Sequence, residues 1–381
     1  MRDDHQSPWM NDELRLLQEA ARKFFNAEFV PHIERWDREG CVEREAWRKA
    51  GAAGFLCAAV PEEYGGGGGT YAHESIILEA AAELGVYFGN SVHSPIVAPY
   101  ILHYGTEEQK QRWLPEMAQG ERVAGICMSE PGTGSDLQAV ATTAIRDGDE
   151  YVLNGQKTFV TNGQTAELLI VVCKTDPSLG GRGISLIVVE TEETEGFARG
   201  RNLVKLGQKA ADTSELFFDN VRVPASNRLG EEGQGFVMLM EQLPQERLSI
   251  AQVGLVSMER ALQLTSKYVR ERKAFGGTLH DLQNTRMVLA ECATETHIAR
   301  VFLDDCVMRH LRGELDANTG AMVKWWITEK ENEVIDRCLQ LHGGYGYMME
   351  YPIAKMFADS RVQKIYGGSN EVMKELIGRS V

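Results

Sequence analysis

Tyr151-Val152-Leu153-Asn154-Gly155-Gln156-Lys157-Thr158-Phe159-Val160-Thr161-Asn162-Gly163 lies near the middle of the chain and reads unlike either end of it. Two short runs of β-formers, Tyr151 to Leu153 and Thr158 to Val160, are each followed by an Asn-Gly pair. Asn and Gly both tolerate the positive φ of a tight turn, so this pattern predicts antiparallel strands with hairpin punctuation. The style continues through Leu168 to Val172, Ile184 to Val189 and Leu216 to Val223, with Asp147-Gly148 as a further turn signal. A β region from about Val123 to about Pro224 follows. Within it, Phe159 and Thr161 fall on one face of a strand, two residues apart. Such a pair can stack on a flat ring and hydrogen-bond its edge, or be an ordinary sheet face.

Both flanks carry the helical period instead. Leu14, Leu17, Ala21 and Phe24 recur at three- and four-residue spacing behind an acidic first turn of Asp12 and Glu13. Helical segments run on to about Leu114, interrupted by Pro61-Glu62-Glu63-Tyr64 and the five glycines Gly65 to Gly69. No Lys-Ser/Thr follows those glycines, so a mobile connector is expected there and not a phosphate loop. After Gly235, Leu248, Ala251, Leu255, Met258, Leu262, Thr265 and Val269 form one stripe. Leu289, Cys292, Thr296, Ala299, Leu303, Cys306 and His310 form another, and the two suit antiparallel packing in a bundle. Helices, then strands, then helices means segregated layers, which disfavours a doubly wound nucleotide-binding sheet. The expected architecture is α+β and multidomain: an N-terminal helical domain at 1–122, a central antiparallel β domain at 123–234 and a C-terminal four-helix bundle at 235–381.

Composition narrows the function classes. The chain has 381 residues, 43% hydrophobic and 25% charged, enough to bury a core without disulfides or metals. Collagen-like, disordered and disulfide-scaffold classes are excluded. Forty Lys and Arg against 55 Asp and Glu give a net charge of −15, a poor basis for nucleic-acid binding. The seven cysteines include no C-x-x-C pair, which suits buried thiols in a reducing compartment and no metal centre. Met1-Arg2-Asp3-Asp4-His5 lacks the apolar run of a secretory signal and is too acidic for a transit peptide. The longest apolar run, near Leu168 to Cys173, is far short of a membrane span. A cytoplasmic protein of bacterial type, with no membrane insertion, is expected.

Four segments carry unusual chemistry. Cys127-Met128-Ser129-Glu130-Pro131-Gly132-Thr133-Gly134-Ser135-Asp136 combines hydroxyls with glycines that let a backbone approach a ligand. Asn154 to Gly163 is the second. Leu341-His342-Gly343-Gly344-Tyr345-Gly346-Tyr347 and Gln363-Lys364-Ile365-Tyr366-Gly367-Gly368-Ser369-Asn370-Glu371 break helical stretches with paired glycines. In this order, and with Pro61-Glu62-Glu63-Tyr64-Gly65-Gly66, the set resembles the acyl-CoA dehydrogenase family over nearly the whole chain. Leu243-Pro244-Gln245-Glu246-Arg247-Leu248 and Tyr351-Pro352-Ile353-Ala354-Lys355 make the long-chain type the nearest likeness.

The resemblance implies FAD as cofactor, acyl-CoA as substrate, an electron-transfer flavoprotein as acceptor and a homotetramer. It implies α,β-dehydrogenation to the trans-2-enoyl-CoA, with hydride passing to flavin N5. By position, Ile126, Met128, Ser129, Gly134 and Ser135 match cofactor contacts, and Ser135 also faces substrate. Phe159 stands where many relatives have Trp, and Thr161 matches the hydrogen-bonding partner near N5. Arg272, Phe275 and Gln283 match an arm reaching a neighbouring subunit's cofactor. Gln340, Gly343, Gly344, Ser369 and Glu371 match adenine and pyrophosphate contacts. Substrate contacts fall on Pro244, Arg247, Tyr366, Gly367 and Gly368.

One position departs from the common pattern. Many relatives have the catalytic Glu directly after the Tyr of the last motif, and here that place is Gly367. In the long-chain and isovaleryl-type relatives the base is the Glu of a Glu-Arg pair on the first C-terminal helix, which is Glu246 here. Glu371 and Glu350 compete for the role. Without the resemblance, Glu246 near a helix start would read as solvated, and Arg247 as half of a surface ion pair. Pro244 should kink or start that helix and aim Glu246 into the cavity. Pro95 and Pro99 should prevent regular helix near the acyl tail, which suits long or branched chains. A flavin oxidase of the same fold, and a non-catalytic flavin-bearing binding protein, are the alternatives.

Overall fold

The computed structural model describes residues 5–192 and 194–381. Met1 to Asp4, part of the start read above for targeting signals, lie outside the described residues. The first part is helical: α1 (Asp12–Glu28), α2 (Ile33–Glu39), α3 (Arg44–Ala52), α4 (Tyr71–Leu84), the short α5 (Asn90–Val92), α6 (Ala98–Tyr104) and α7 (Glu107–Ala118). Asn11 starts α1 by accepting the Leu14 N–H; of the expected stripe Leu14 and Ala21 are buried and Leu17 is half-buried, and Phe25 is buried in place of Phe24. Phe24 is half-buried against the Phe25 and Phe55 rings.

The five glycines are not a loose connector. The N–H groups of Gly66, Gly67, Gly68 and Gly69 donate to the carbonyls of Pro61, Cys57, Val60 and Ala58. A Cβ on Gly66 would stand 2.2 Å from the Val60 carbonyl oxygen, so this stretch is a packed turn that only glycine can make.

Strands follow: β1 (Ala124–Cys127), β2 (Thr143–Asp147), β3 (Glu150–Thr161), β4 (Leu168–Lys174), β5 (Ile184–Glu190), β6 (Phe197–Asn202), β7 (Thr213–Pro224) and β8 (Arg228–Leu229). The sheet order is β6-β7-β3-β2-β4-β5-β8, with β1 on β4. Pairing is mostly antiparallel, but β1 and β2 run parallel to β4. Asp147-Gly148 turns β2 into β3, with Gly148 at φ 60°. Asn154-Gly155 does not turn the chain. β3 runs straight through it, and the register against β7 slips there as a bulge. A second slip between Lys157 and Val160 leaves Phe159 at φ 57°. Asn162-Gly163 does form the turn that ends the strand.

The last part is helical again: α8 (Gly235–Glu271), the β9 (Lys273–Ala274) and β10 (Gly277–Thr278) hairpin, α9 (Gln283–Leu311), α10 (Ala317–Leu341), α11 (Pro352–Ser360) and α12 (Asn370–Gly378). Three long helices and two short ones therefore stand where four were expected. Leu248, Ala251, Leu255 and Met258 of α8 share one core with Cys292, Ala299 and Leu303 of α9 and Ile327 and Val334 of α10. Tyr71 and Ile76 of α4 enter the same core. A second core joins Tyr100 and Ile101 of α6 and Trp113 of α7 to Ile170, Leu186 and Val188 of the sheet and Leu239 of α8. Helix α6 is thereby wedged between the sheet and α8.

Candidate active site

Glu246 and Arg247 are consecutive residues well inside α8, not at its start. Pro244 is inside the helix too; it removes the N–H that would meet the Met240 carbonyl. Gly320 of α10 lets the two helices approach closely at this crossing, since a Cβ there would lie a tight 3.1 Å from Pro244 Cα. Glu246 is only 5% exposed, and the Tyr100 hydroxyl donates to its Oε1 at 2.8 Å. Burial pushes the carboxyl up to about 7, against the Tyr100 hydrogen bond and the Arg247 charge, which pull it down. At neutral pH such a group both holds and releases a proton, the property of a general base.

Arg247 is buried and is no surface ion pair; among the described residues no carboxylate lies within salt-bridge distance of it. Its Nε points to the Gly367 carbonyl at 3.5 Å. Gly367 and Gly368 have φ of 64° and 88°, which demand glycine. The Gly367 N–H donates to no described group. The neighbouring Tyr366 hydroxyl donates to Gln363 Oε1 at 2.9 Å.

Lys324, which sequence reasoning missed, fixes this segment from behind. It is fully buried on α10, donating to the Gly368 carbonyl at 2.7 Å and to Asn370 Oδ1 at 3.0 Å. Burial pushes its ammonium down to about 7, with Arg247 adding to the effect. A single Lys inside the apolar run Ala321-Met322-Val323-Lys324-Trp325-Trp326-Ile327 was the available signal.

On the sheet, Ile126 lies in β1, and Met128 and Ser129 begin the loop after it. The Thr158 N–H donates to the Ser129 carbonyl at 3.0 Å, bringing that loop beside Phe159. Lys157 and Glu130, both buried and also missed, lock it. Lys157 Nζ meets Glu130 Oε1 at 2.8 Å and the Met128 carbonyl at 3.2 Å. Glu130 accepts from the N–H groups of Ala141 and Thr142. Phe159 is 68% exposed in left-handed backbone, Thr161 is half-buried, and Gly134 and Ser135 are open to solvent. A strained, exposed aromatic beside an open glycine loop fits the face of a flat ring such as the flavin of FAD.

A third group gathers at the other end of α8. Arg272 stacks over the Tyr345 ring at 5.4 Å, next to Gly343 and Gly344, whose surroundings are open. Phe275 projects from the β9–β10 hairpin, 92% exposed. Gln283 begins α9 and Gln340 lies in the last turn of α10. Ser369 and Glu371 lie apart from this group, beside Gly368 and Lys324: Ser369 caps α12, and Glu371 is exposed in its first turn, so Glu371 is not a buried base. Glu350 is exposed just before α11. No hydrogen bond, ion pair or ring contact among the described residues joins the Arg272–Phe275 arm to the Phe159 face.

A cavity of about 150 Å³ is lined by Pro95, Pro99, Tyr71, Glu74, His310 and Gln245, the residue before Glu246, among others; Glu246 itself does not line it. Residues His93–Val97, Pro95 among them, make a π-helical turn, so regular helix is interrupted there, whereas Pro99 sits in the first turn of α6, a position regular helix accommodates.

Three family models cover the chain: the acyl-CoA dehydrogenase N-terminal domain at residues 11–121, middle domain at 125–221 and C-terminal domain at 233–381. The chain is 46% identical over 374 residues to the mitochondrial long-chain specific acyl-CoA dehydrogenase of Mus musculus, covering 97% of this chain and 87% of that protein. It is 36% identical to the acryloyl-CoA reductase (NADH) of Anaerotignum propionicum, covering 97% and 94%. The crystal structure of an acyl-CoA dehydrogenase from Geobacillus kaustophilus superposes with a TM-score of 0.97 at 47% identity, covering 98% and 99%. Full-length relatives thus share both sequence and fold with this chain, and the chain belongs to the acyl-CoA dehydrogenase family, FAD-dependent enzymes.

Proposed function

We propose that this enzyme removes the α- and β-hydrogens of a saturated, long-chain or branched acyl-CoA, with Glu246 as the base for the α-proton. The observation that carries it is a buried carboxyl poised at about 7 on the helix that faces Gly367. The α-carbon of a thioester is a weak acid, so its carbonyl must be polarised as the proton leaves. The free Gly367 N–H is the donor this chain offers for that oxygen. Arg247 and Lys324 keep the carbonyls of Gly367 and Gly368 turned away, which leaves the amide side of the segment facing the substrate. The chemistry that bound FAD supplies is acceptance of the β-hydrogen with its electron pair. Ser129, Phe159 and Thr161 would hold the flavin ring, and Ser135 would meet the CoA side. Arg272, Phe275 and Gln283 would reach the cofactor of a neighbouring copy in a homotetramer, and an electron-transfer flavoprotein would take the electrons. The cavity beside Pro95 and Pro99 supports a long or branched tail.

The test is anaerobic mixing of the yellow holoenzyme with saturated acyl-CoAs of four to sixteen carbons. Bleaching of the flavin, fastest beyond eight carbons and lost in Glu246→Gln, is the expected result. A kcat/KM maximum at four carbons would overturn the chain-length reading. The likeness to an acryloyl-CoA reductase favours a second reading, in which the same site runs toward the saturated thioester. Oxidation of the reduced enzyme by an enoyl-CoA at a higher turnover than the forward reaction would select it. Rapid aerobic turnover without an added acceptor would instead mark an oxidase.

A further inference from the structure

Tyr100 is completely buried, and its hydroxyl has Glu246 Oε1 as its partner at 2.8 Å. Glu246 Oε2 makes no hydrogen bond to the described residues, so one oxygen is tethered and the other is left for chemistry. We propose that Tyr100 is the positioning residue of the base: it fixes the Glu246 rotamer and sets the pH at which the carboxylate accepts the α-proton. This rests on the reading of Glu246 as that base.

The segment that carries Tyr100 is built for this. The π-helical turn at His93–Val97 places one extra residue in the turn before α6, which rotates everything after it by about 100° relative to a plain helix. The Pro95 carbonyl accepts from Gln245 Nε2 at 2.7 Å, next to the base on α8. The π-helical turn is therefore tied to α8 through Gln245, and α6 itself through Glu246, Glu241 and Gln242. Tyr100 has no freedom to turn away, because Val97, Ile101 and Trp113 pack around it in the core shared with the sheet.

The charged and titratable groups around the pair are held by partners other than the Tyr100 hydroxyl. Arg247 follows Glu246 on α8, and Lys324 of α10 lies behind Arg247. Tyr104 lies one turn on from Tyr100, with ring centroids 6.1 Å apart, and donates outward to Glu241. His103 is turned to Gln242. The hydrogen bond from Tyr100 favours the charged carboxylate, so its loss raises the pH at which the base works.

The experiment follows the rate of flavin reduction against pH for the holoenzyme, with a panel of saturated acyl-CoAs from four to sixteen carbons. Tyr100→Phe is expected to move the midpoint up by about one pH unit, so that the rate on the acid side falls about tenfold while the alkaline plateau is kept. Replacing Tyr100 by 2,3-difluorotyrosine, a stronger donor of the same shape, is expected to move the midpoint down. It also serves if the Phe variant does not fold. Opposite shifts from the two changes are not produced by loosened packing. Midpoints equal to wild type in both variants, with Glu246→Gln inactive, would overturn the role of Tyr100 and leave the base in place. A Glu246→Gln enzyme that reduces its flavin at the wild-type rate, or a wild type bleached by no member of the panel, would overturn both.

Discussion

A Cβ placed on Gly367 would stand 2.3 Å from Ile250 Cδ1, and the φ of 64° there penalises any side chain by about 1–2 kcal/mol. This one contact decides how the base could be moved. Glu246→Ala combined with Gly367→Glu carries a carboxylate to the place many relatives use, but the new side chain must displace Ile250. The pair is expected to regain little activity, and adding Ile250→Val, which deletes Cδ1 alone, is expected to raise it several-fold. Stopped-flow flavin reduction measures this, and an Ile250→Val change without effect on the relocated base would show that Ile250 is not the obstacle. Glu74 shows a buried carboxyl with a different consequence. Burial pushes it up to about 7, and its Oε1 accepts from the Ala59 N–H at 3.1 Å. A carboxyl raised in the folded state contributes stability that is complete below its unfolded value near 4.5 and lost as pH rises through 7. Glu74→Gln keeps the acceptor and never ionises. Its melting temperature is expected to match wild type near pH 4.5 and to exceed it by a few degrees at pH 8. The difference is worth up to about 3 kcal/mol. A difference that stays flat with pH would mean Glu74 is not buried as an acid.

At the scale of elements, local pattern and long-range pairing part company. The stripe from Leu248 to Val269 predicts α8, and the structure buries it apart from the half-exposed Leu262, because a helix period can be read from neighbours alone. Asn154-Gly155 misleads for the converse reason. The pair is competent to turn, but β7 supplies partners on both sides of it, and tertiary pairing converts a turn into a bulge. The glycines after Tyr64 look empty in sequence because what they touch, the backbone of residues 57–61, is visible only once folded. The base could be named from a motif, whereas its partner could not: Tyr100 and Glu246 are 146 residues apart, and no spacing rule joins α6 to α8. Lys324 is hidden in the same way, its partners lying 44 and 46 residues on. Its role makes a test of the element. Lys324→Met keeps the length and apolar stem but releases the Gly368 carbonyl and Asn370. Flavin reduction is expected to slow about tenfold or more as the 367–370 segment loosens, with smaller change in FAD content. An unchanged rate would mean that α12 and Met373 hold the segment without it.

At the scale of the molecule, the question is what covers the apolar surface a single chain leaves bare. Phe275 is 92% exposed and Tyr347 83%, and Met348 and Met349 beside Tyr347 are also open. Along α9, Met287, Ile298 and Val301 face outward. Side chains of this size at one end of a bundle and along one long helix are costly to leave in water, and copies of the same chain are the most abundant surface that could cover them. A net charge of −15 opposes such association at long range, so the contact has to be won by apolar burial and should tighten with salt. The Arg272–Phe275 arm makes no described contact with the Phe159 face of its own chain, which is the arrangement expected if it completes a neighbour's cofactor site. Light scattering is therefore expected to give about four times the chain mass of 42.4 kDa, with the flavin retained on dilution. Phe275→Asp changes a fully outward side chain, so the isolated chain should keep its fold by circular dichroism. The same change should lower the assembled mass and the FAD bound per chain together, because one hairpin serves both. A Phe275→Asp protein that loses flavin while remaining a tetramer would confine the arm to cofactor binding, and a wild-type monomer that keeps full FAD would end the shared-site account.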